Sequence, residues 1–238
     1  FYIISIFILT TFFTHNTIAE NINIAISKSE PSVDNTSELH LIVLWEKARY
    51  KEQEITQDIG KHFKILELYD ITWSKEEVSN NFSRFYGIKL GSNSGKEQHC
   101  GNGGFLLLTI LDENPKYDFV ETSRGTEYVN INIFSLKEKY RSWTGGGHKI
   151  HATNNKAETN HDITLLLGLN YDDYLNKIAG KTNHNTQKIN RDLLGARGFT
   201  SIEEIFYLLN ATCKYTVLRN YEILKKKKKT EEHGDIDI

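Results

Sequence analysis

Continuous apolar runs alternate with polar segments from His40 onward, a pattern that predicts a mixed α/β domain. HLIVLW (40–45) consists mainly of β-favouring apolar residues and predicts a buried strand, and the polar segment directly after it predicts a helix. FKILELYDITW (63–73) predicts a second strand. Ser74 and Glu77 have the spacing of a capping box, which predicts a helix through VSNNFSRFYG.

The same alternation continues to Gly168. GFLLLTIL (104–111) predicts another buried strand, and YVNINIF (128–134) fits either a short strand or an extended loop. Apolar positions over 157–167 predict a helix that ends at Gly168. The order of these elements, with short connections, predicts the α/β (α+β) class and a small mixed sheet that carries helices on one face.

The segment before this domain supports two interpretations. Residues 1–19 open with FYIISIFILTTFF, an apolar run too short to cross a bilayer, and Thr17 and Ala19 follow at the spacing of a signal cleavage site. A signal peptide would place the protein in the secretory pathway. The first residue is Phe and no basic residue precedes the apolar run, which fits instead a fragment of a longer, cytoplasmic protein. Residues 20–39 are polar and predict a linker.

Composition and charge narrow the classes of partner. The 238 residues carry a formal net charge of −2, so no global electrostatic feature favours nucleic acid or an anionic membrane. No apolar run is long enough to predict a transmembrane span. Cys100 and Cys213 have neither a metal-ligand spacing nor the density of a disulfide-stabilised scaffold, which predicts free thiols.

Side chains suited to phosphate chemistry are concentrated over residues 122–162, in stretches without long apolar periodicity, as is typical of a binding loop. The run Gly145–Gly147 would let the backbone approach phosphate oxygens, and its alternative is a flexible turn. Four cations of this region would either neutralise a polyphosphate or form a solvated basic face. They are Arg124, Lys137, Lys139 and Arg141.

The histidines of this region suggest two further chemistries. A histidine nitrogen with a near-neutral pKa is able to accept a phosphoryl group and pass it on, which splits one transfer into two easier steps. A metal site is the alternative. Its candidate ligands are His99, Cys100, His148, His151 and His161. A structural histidine in an unrelated α/β domain is the third interpretation.

HKIHATNNKAETNHDI (148–163) resembles the active-site motif of nucleoside diphosphate kinases, N-x-I-H-G-S-D followed by a helix with an acidic residue. His151 is followed by Thr153 after two residues and by Asp162 after eleven, the spacing of that family. The resemblance implies that His151 accepts the phosphoryl group and that Thr153 takes the hydroxyl position. It also implies that Asp162 orients the imidazole through the other ring nitrogen.

The resemblance covers residues 40–170 in the order of their elements. It implies a ferredoxin-like βαββαβ sandwich, a nucleotide partner, ATP or another nucleoside triphosphate as substrate, Mg²⁺ as cofactor and a homo-oligomer. It implies nucleotide- or phosphate-binding roles for Lys47, Tyr86, Arg124, Lys137, Arg141 and His148.

Several positions depart from the family motif. Trp45 falls on the family's conserved lysine, and Lys47 lies two residues beyond it. His148 replaces an asparagine, and Ala152 and Asn154 replace the glycine and aspartate beside the histidine. Two functions therefore stay open, a phosphohistidine phosphotransferase and a non-catalytic nucleotide-sensing module. Lys47 at the phosphate site would favour the enzyme; Lys47 turned outward, with Trp45 filling the pocket, would favour the module.

The C-terminal part carries a second motif, after a connecting region at 171–198. In the segment 199–238, SIEEIFYLLN predicts a helix, KYTVLRNYE predicts a strand, and HGDIDI predicts the onset of another strand. This order resembles the opening of nucleotidyltransferase-fold enzymes, including those of glycan or polymer biosynthesis. Asp235 and Asp237 would share one strand face and together bind Mg²⁺, and the alternative is an ordinary acidic tail.

Overall fold

The structure is a computed structural model that describes residues 37–122, 125–179 and 186–212. All of these residues belong to one compact unit with a mixed α/β architecture. Residues 1–19, most of the predicted linker, Arg124, and the whole segment from Cys213 to the aspartates Asp235 and Asp237 lie outside the described residues.

The described part of the chain forms seven strands and seven α-helices. The strands are β1 Glu38–Leu44, β2 Lys64–Thr72, β3 Phe105–Asp112, β4 Tyr117–Thr122, β5 Gly125–Asn130, β6 Ile150–Ala152 and β7 Gln187–Asn190. The helices are α1 Glu52–His62, α2 Val78–Tyr86, α3 Gly95–Cys100, α4 Ile131–Trp143, α5 Lys156–Leu167, α6 Tyr171–Ile178 and α7 Ile202–Thr212. Short 3-10 turns, Glu46–Lys51 and Lys75–Glu77, lead into α1 and α2.

Five of the described strands form one sheet in the order β6-β1-β3-β2-β7. Neighbouring strands are antiparallel except for β2 and β7, which are parallel. β4 and β5 form a separate hairpin between β3 and α4. The three apolar runs at 40–45, 63–73 and 104–111 correspond to β1, β2 and β3, so these strand predictions are confirmed.

The sheet carries helices on both faces, and the prediction of helices on one face was wrong. Leu41 and Val43 of β1 pack into the core under α2, α5, α6 and α7, whereas Ile42 and Leu44 pack into the core under α1 and α4. Successive side chains of a strand point to opposite faces, so a continuous apolar run such as β1 exposes apolar surface on both faces unless both are covered.

The binding loop predicted over 122–162 is largely regular structure. β5 ends at Asn130, whose side-chain oxygen accepts hydrogen bonds from the backbone N–H groups of Asn132 and Ile133 and so begins α4. The prediction of a strand or loop over 128–134 is therefore correct only for its first residues. The helix predicted over 157–167 is confirmed as α5, and it ends at Gly168 with φ of 66°.

The capping box predicted at Ser74 and Glu77 is not formed. The Ser74 hydroxyl donates instead to Oδ2 of Asp192 at 2.8 Å, and the Ser74 backbone N–H donates to Oδ1 of the same carboxylate at 2.9 Å. The side chain of Ser74 thus connects the start of α2 to the segment after β7.

Residues 171–179 and 186–212 continue the same compact unit. β7 extends the sheet beside β2, and the helix predicted over 201–210 is present as α7. The Asn160 side chain donates to the backbone carbonyl of Ala211 at 2.8 Å, which joins α7 to α5. Within the described ranges no helix has the length and apolar character that crossing a membrane requires.

Candidate functional site

The candidate site lies at the edge strand β6, where His151 is paired with Val43 of β1. Ile150 and Ala152, the neighbours of His151, are buried in the core beneath α1 and α4. Because side chains alternate along a strand, the His151 imidazole points to the opposite face, toward α2 and α5. Its side chain is 14% exposed, so the ring is reachable from solvent and still held by its surroundings.

The His151 ring is held by a carboxylate of α5. Nε2 of His151 lies 2.6 Å from Oδ2 of Asp162, and Nδ1 of His161 lies 2.8 Å from Oδ1 of the same carboxylate. Burial raises the pKa of Asp162, but the charges and hydrogen bonds of the two imidazoles outweigh burial and hold the pKa below its ordinary value. Asp162 is therefore an ionised acceptor of two N–H donors.

This contact determines which nitrogen of His151 is available for chemistry. A neutral imidazole that donates from Nε2 to a carboxylate keeps its lone pair on Nδ1. No hydrogen bond joins Nδ1 to any residue in the described ranges. The structure thus brings His151 and Asp162 together in the arrangement that the sequence resemblance implies, and the lone pair of Nδ1 lies outside that contact.

Aromatic side chains of α2 form the wall beside His151. The ring centroids of Phe85 and His151 are 5.0 Å apart in an edge-on arrangement, and those of Tyr86 and His151 are 6.3 Å apart. Burial raises the pKa of Tyr86 well above its ordinary value, so its hydroxyl is protonated at neutral pH. Tyr86, predicted as a nucleotide contact, is thus placed next to the histidine.

A pocket of about 400 Å³ opens beside the ring. It is lined by Phe85, Tyr86, Gly87, Glu127, His151, Asn154, Asn155, Ala157, Glu158, His161, Asp162 and Thr212. Among the described residues, this lining contains three carboxylates and no lysine or arginine. The described part of the lining therefore carries negative charge, whereas the sequence predicted a basic binding region around the histidine.

Glu158 is a member of the site that the sequence analysis did not identify. It precedes Asp162 by one helical turn, so both carboxylates lie on one face of α5. Its Oε2 accepts a hydrogen bond of 2.6 Å from the backbone N–H of Asn154. Ligand atoms of His151, Glu158 and Asp162 all lie within 4.8 Å of one another, and the described residues contain no other such group.

The histidines and the cysteine considered for a metal site are divided between two places. The rings of His99 and His148 are 5.7 Å apart, and the Cys100 thiol donates to the His148 carbonyl at 3.3 Å. Burial raises the pKa of Cys100 to about 12, so the thiol is protonated at neutral pH. Burial, together with Lys96 and other nearby cations, lowers the pKa of His148.

Thr153, predicted to supply the hydroxyl of the site, is fully buried in a different network. Its Oγ accepts from the backbone N–H of Leu41 at 3.1 Å and from the Thr159 hydroxyl at 2.9 Å. It also lies 3.2 Å from Nδ1 of the buried His40. These contacts join the end of β6 to β1 and α5, and this hydroxyl supports the strand that carries His151.

The predicted phosphate-binding cations within the described ranges are engaged with other groups. The exposed Lys47 donates to the Gln98 carbonyl at 2.7 Å. Lys137 is buried, donates to the Asn154 side chain at 2.5 Å, and has its pKa lowered by burial. Arg141 donates to the Ile150 carbonyl at 3.2 Å and pairs with Glu138 at 2.8 Å.

Trp45 occupies the interior beside the aromatic wall. Only 1% of it is exposed, and its ring centroid lies 5.5 Å from that of Phe85 and 4.7 Å from that of Phe105. Trp73 and Phe82 complete this cluster. The tryptophan thus fills the space behind Phe85, and Lys47 is turned outward.

No protein-family model matches this chain, and no curated protein does. The assignment of a function therefore depends on the geometry described above. The residues of that geometry missed by the sequence analysis are Phe85, Glu127, Glu158 and His161 as a partner of Asp162. The i, i+4 spacing of Glu158 and Asp162 on a predicted helix was a signal that would have identified the second carboxylate.

Proposed function

We propose that this domain is a nucleotide-binding phosphotransferase resembling nucleoside diphosphate kinase, in which His151 accepts and passes on a phosphoryl group. The observation that carries the proposal is the 2.6 Å contact between Nε2 of His151 and Asp162, which leaves Nδ1 directed away from its orienting carboxylate. A buried, ionised carboxylate stabilises the positive charge that the imidazole acquires when Nδ1 forms a bond to phosphorus.

The reaction proceeds in two displacement steps. The lone pair of Nδ1 attacks the γ-phosphorus of a nucleoside triphosphate, the bond from phosphorus to the bridging oxygen breaks, and a nucleoside diphosphate leaves. An acceptor oxygen then attacks the phosphohistidine and restores the free imidazole. Mg²⁺ bound with the nucleotide supplies charge neutralisation, and Glu127 in the pocket lining offers a carboxylate oxygen of the type that Mg²⁺ prefers.

The order of strands and helices supports a ferredoxin-like sandwich for residues 40–170. Four adjacent strands lie in the order β6-β1-β3-β2, and α1 and α4, which follow β1 and β3, pack in one core on the same face. Two βα units arranged in this way give the βαββαβ pattern, with the β4–β5 hairpin inserted before α4.

A non-catalytic nucleotide-sensing module is the second candidate, and one observation favours it. Trp45 fills the interior where the family has a lysine near the phosphates, and Lys47 faces outward. A module of this type would serve the nucleotidyltransferase-like segment proposed for residues 199–238, which would act in glycan or polymer biosynthesis. The Mg²⁺ ligands of that nucleotidyltransferase-like segment would be Asp235 and Asp237.

Labelling of the full chain with γ-³²P-ATP and Mg²⁺ separates the two functions. The enzyme is expected to acquire acid-labile label, as a phosphohistidine does, and His151→Gln is expected to remove it. His62→Gln is the matched control, because His62 is 46% exposed and lies on α1 under the opposite face of the sheet. Nucleotide binding without label would support the sensing module and would contradict phosphotransfer.

A further inference from the structure

The pocket beside His151 contains three side chains that together have the composition of a metal site. They are His151 from β6 and Glu158 and Asp162 from α5, with ligand atoms within 4.8 Å of one another. We propose that this group binds a divalent transition-metal ion through Nε2 of His151 and one oxygen of each carboxylate. The inference goes beyond the phosphotransfer function and does not depend on it.

The ligands converge from two elements. Glu158 and Asp162 are one turn apart on α5, and His151 faces them from the strand. A tetrahedral ion with bonds of about 2.1 Å holds its ligand atoms about 3.4 Å apart. The Nε2–Oδ2 distance of 2.6 Å would open by about 0.8 Å as the ion replaces the shared proton. The half-buried Glu158 side chain would move toward the ion to bring its carboxylate into bonding distance.

Supporting hydrogen bonds already orient two of the ligands. The Asp162 oxygen that does not face His151 is bound by His161 at 2.8 Å. Oε2 of Glu158 is bound by the backbone N–H of Asn154 at 2.6 Å, which leaves Oε1 for an ion. The Asn155 side chain caps α5 by accepting from the Glu158 backbone N–H at 2.9 Å. Partners of this type orient ligands in metal sites and raise affinity.

The charge of the pocket also favours a cation. In the part of the chain that the structure describes, its lining carries Glu127, Glu158 and Asp162 and no lysine or arginine. The nearby cation Lys137 donates to the Asn154 side chain. The positive charge of a divalent ion would therefore offset the negative charges of carboxylates that lie close together in a partly buried pocket.

The donor set indicates the class of metal. One imidazole nitrogen and two carboxylate oxygens suit Zn²⁺ and similar first-row ions, whereas Mg²⁺ and Ca²⁺ favour oxygen ligands alone. Three protein ligands leave a fourth position open toward the pocket, as in catalytic zinc sites. An ion on Nε2 would displace the proton shared with Asp162, so Zn²⁺ is expected to inhibit phosphorylation of His151.

The test is calorimetric titration of the full chain with Zn²⁺ in the absence of nucleotide, after removal of metal with a chelator. Glu158→Gln is expected to weaken binding at least tenfold, since even the loss of a supporting partner costs about 10–100-fold in affinity. Glu113→Gln is the matched control, because it makes the same chemical change at an exposed carboxylate after β3 that does not line this pocket. Its affinity for Zn²⁺ is expected to stay within about threefold of the parent value.

Three results would overturn the site: no Zn²⁺ binding by the parent chain, equal affinity of the Glu158→Gln variant, or loss of binding only in a His99→Gln, His148→Gln double variant. Circular dichroism of each variant shows whether it has folded, and the d–d absorption of bound Co²⁺ reports the coordination number of the ion independently. Zn²⁺ binding without ³²P label would contradict phosphotransfer alone, and label without Zn²⁺ binding would contradict the metal site alone.

Discussion

Replacement of Asp162 by Asn tests the role of the carboxylate that holds His151. Asn has nearly the same shape but lacks the negative charge, and its single side-chain oxygen replaces two acceptors. The carboxylate accepts from His151 at 2.6 Å and from His161 at 2.8 Å and is 2% exposed, so one imidazole N–H loses its acceptor within a buried site. We expect a loss of about 1.5–3 kcal/mol in the free energy of unfolding.

The Asp162→Asn substitution is expected to raise the activation free energy of phosphorylation by more than it lowers the free energy of unfolding. Without the charge, the positive imidazole formed during phosphoryl transfer is not stabilised, and His151 no longer has a fixed tautomer. The expected reduction in the labelling rate is about 10²–10⁴-fold.

Two measurements on the Asp162→Asn variant separate these effects. Urea unfolding gives the change in stability, and single-turnover ³²P labelling gives the rate under conditions where the variant is folded. Asp172→Asn, an exposed change on α6, is the matched control and is expected to alter neither. A folded Asp162→Asn variant labelled within about threefold of the parent rate would refute the assigned role of the carboxylate.

Three further predictions concern the rest of the fold. Trp45→Ala removes a side chain packed against four aromatic rings and is expected to lower the free energy of unfolding by about 3–5 kcal/mol, measured by urea denaturation; a loss below 1 kcal/mol would contradict this packing. The hydrogen bond from Lys139 lowers the pKa of Asp58 in the folded state below its ordinary 3.8. The ionised Asp58 therefore stabilises the folded state above pH 3.8, and this stabilisation is lost as the pH falls through the folded-state pKa. The Asp58→Asn variant should therefore show a smaller drop in Tm between pH 6 and pH 2 than the parent, and an equal drop would contradict the pairing. Burial and a pKa raised to about 12 predict that, in a Cys213→Ser background, Cys100 reacts with a thiol reagent at pH 8 only after denaturation; rapid labelling of the folded chain would contradict its burial.

The central strands were predictable because their apolar runs are continuous. A strand buried on one face needs an apolar residue only at every second position. Residues 40–44 and 105–111 lie in β1 and β3, and both strands are covered on both sides. The same runs do not predict whether helices cover one face of the sheet or both faces. A continuous run indicates burial, but it does not show which later segments supply the cover.

Helix α4 was missed because its buried face includes a charged residue. Ile133, Leu136 and Tyr140 are spaced by three and four residues, as on one face of a helix, but Lys137 is also buried beside them. Counting that lysine as a solvent-exposed position obscured the periodicity. Its ammonium group is satisfied by the Asn154 side chain, a contact that depends on the folded arrangement of β6.

The site was predictable where its residues are close in sequence. His151 and Asp162 belong to one strand–helix unit, and the resemblance of that unit to the family motif implied the contact that the structure contains. Phe85 reaches the histidine from α2, 66 positions earlier, and no local pattern encodes that approach. The sequence likewise placed basic residues near the histidine without indicating that other groups engage Lys47, Lys137 and Arg141.

Identification of the phosphorylated atom tests most directly whether His151 accepts a phosphoryl group. The full chain would be phosphorylated with a nucleoside triphosphate and Mg²⁺, the modified residue mapped by mass spectrometry under alkaline conditions, and the bonded nitrogen assigned by ³¹P and ¹⁵N NMR. We expect phosphorus on Nδ1 of His151, because Asp162 holds Nε2. Phosphorus on Nε2, on another residue, or on no residue of a folded and nucleotide-saturated chain would contradict it.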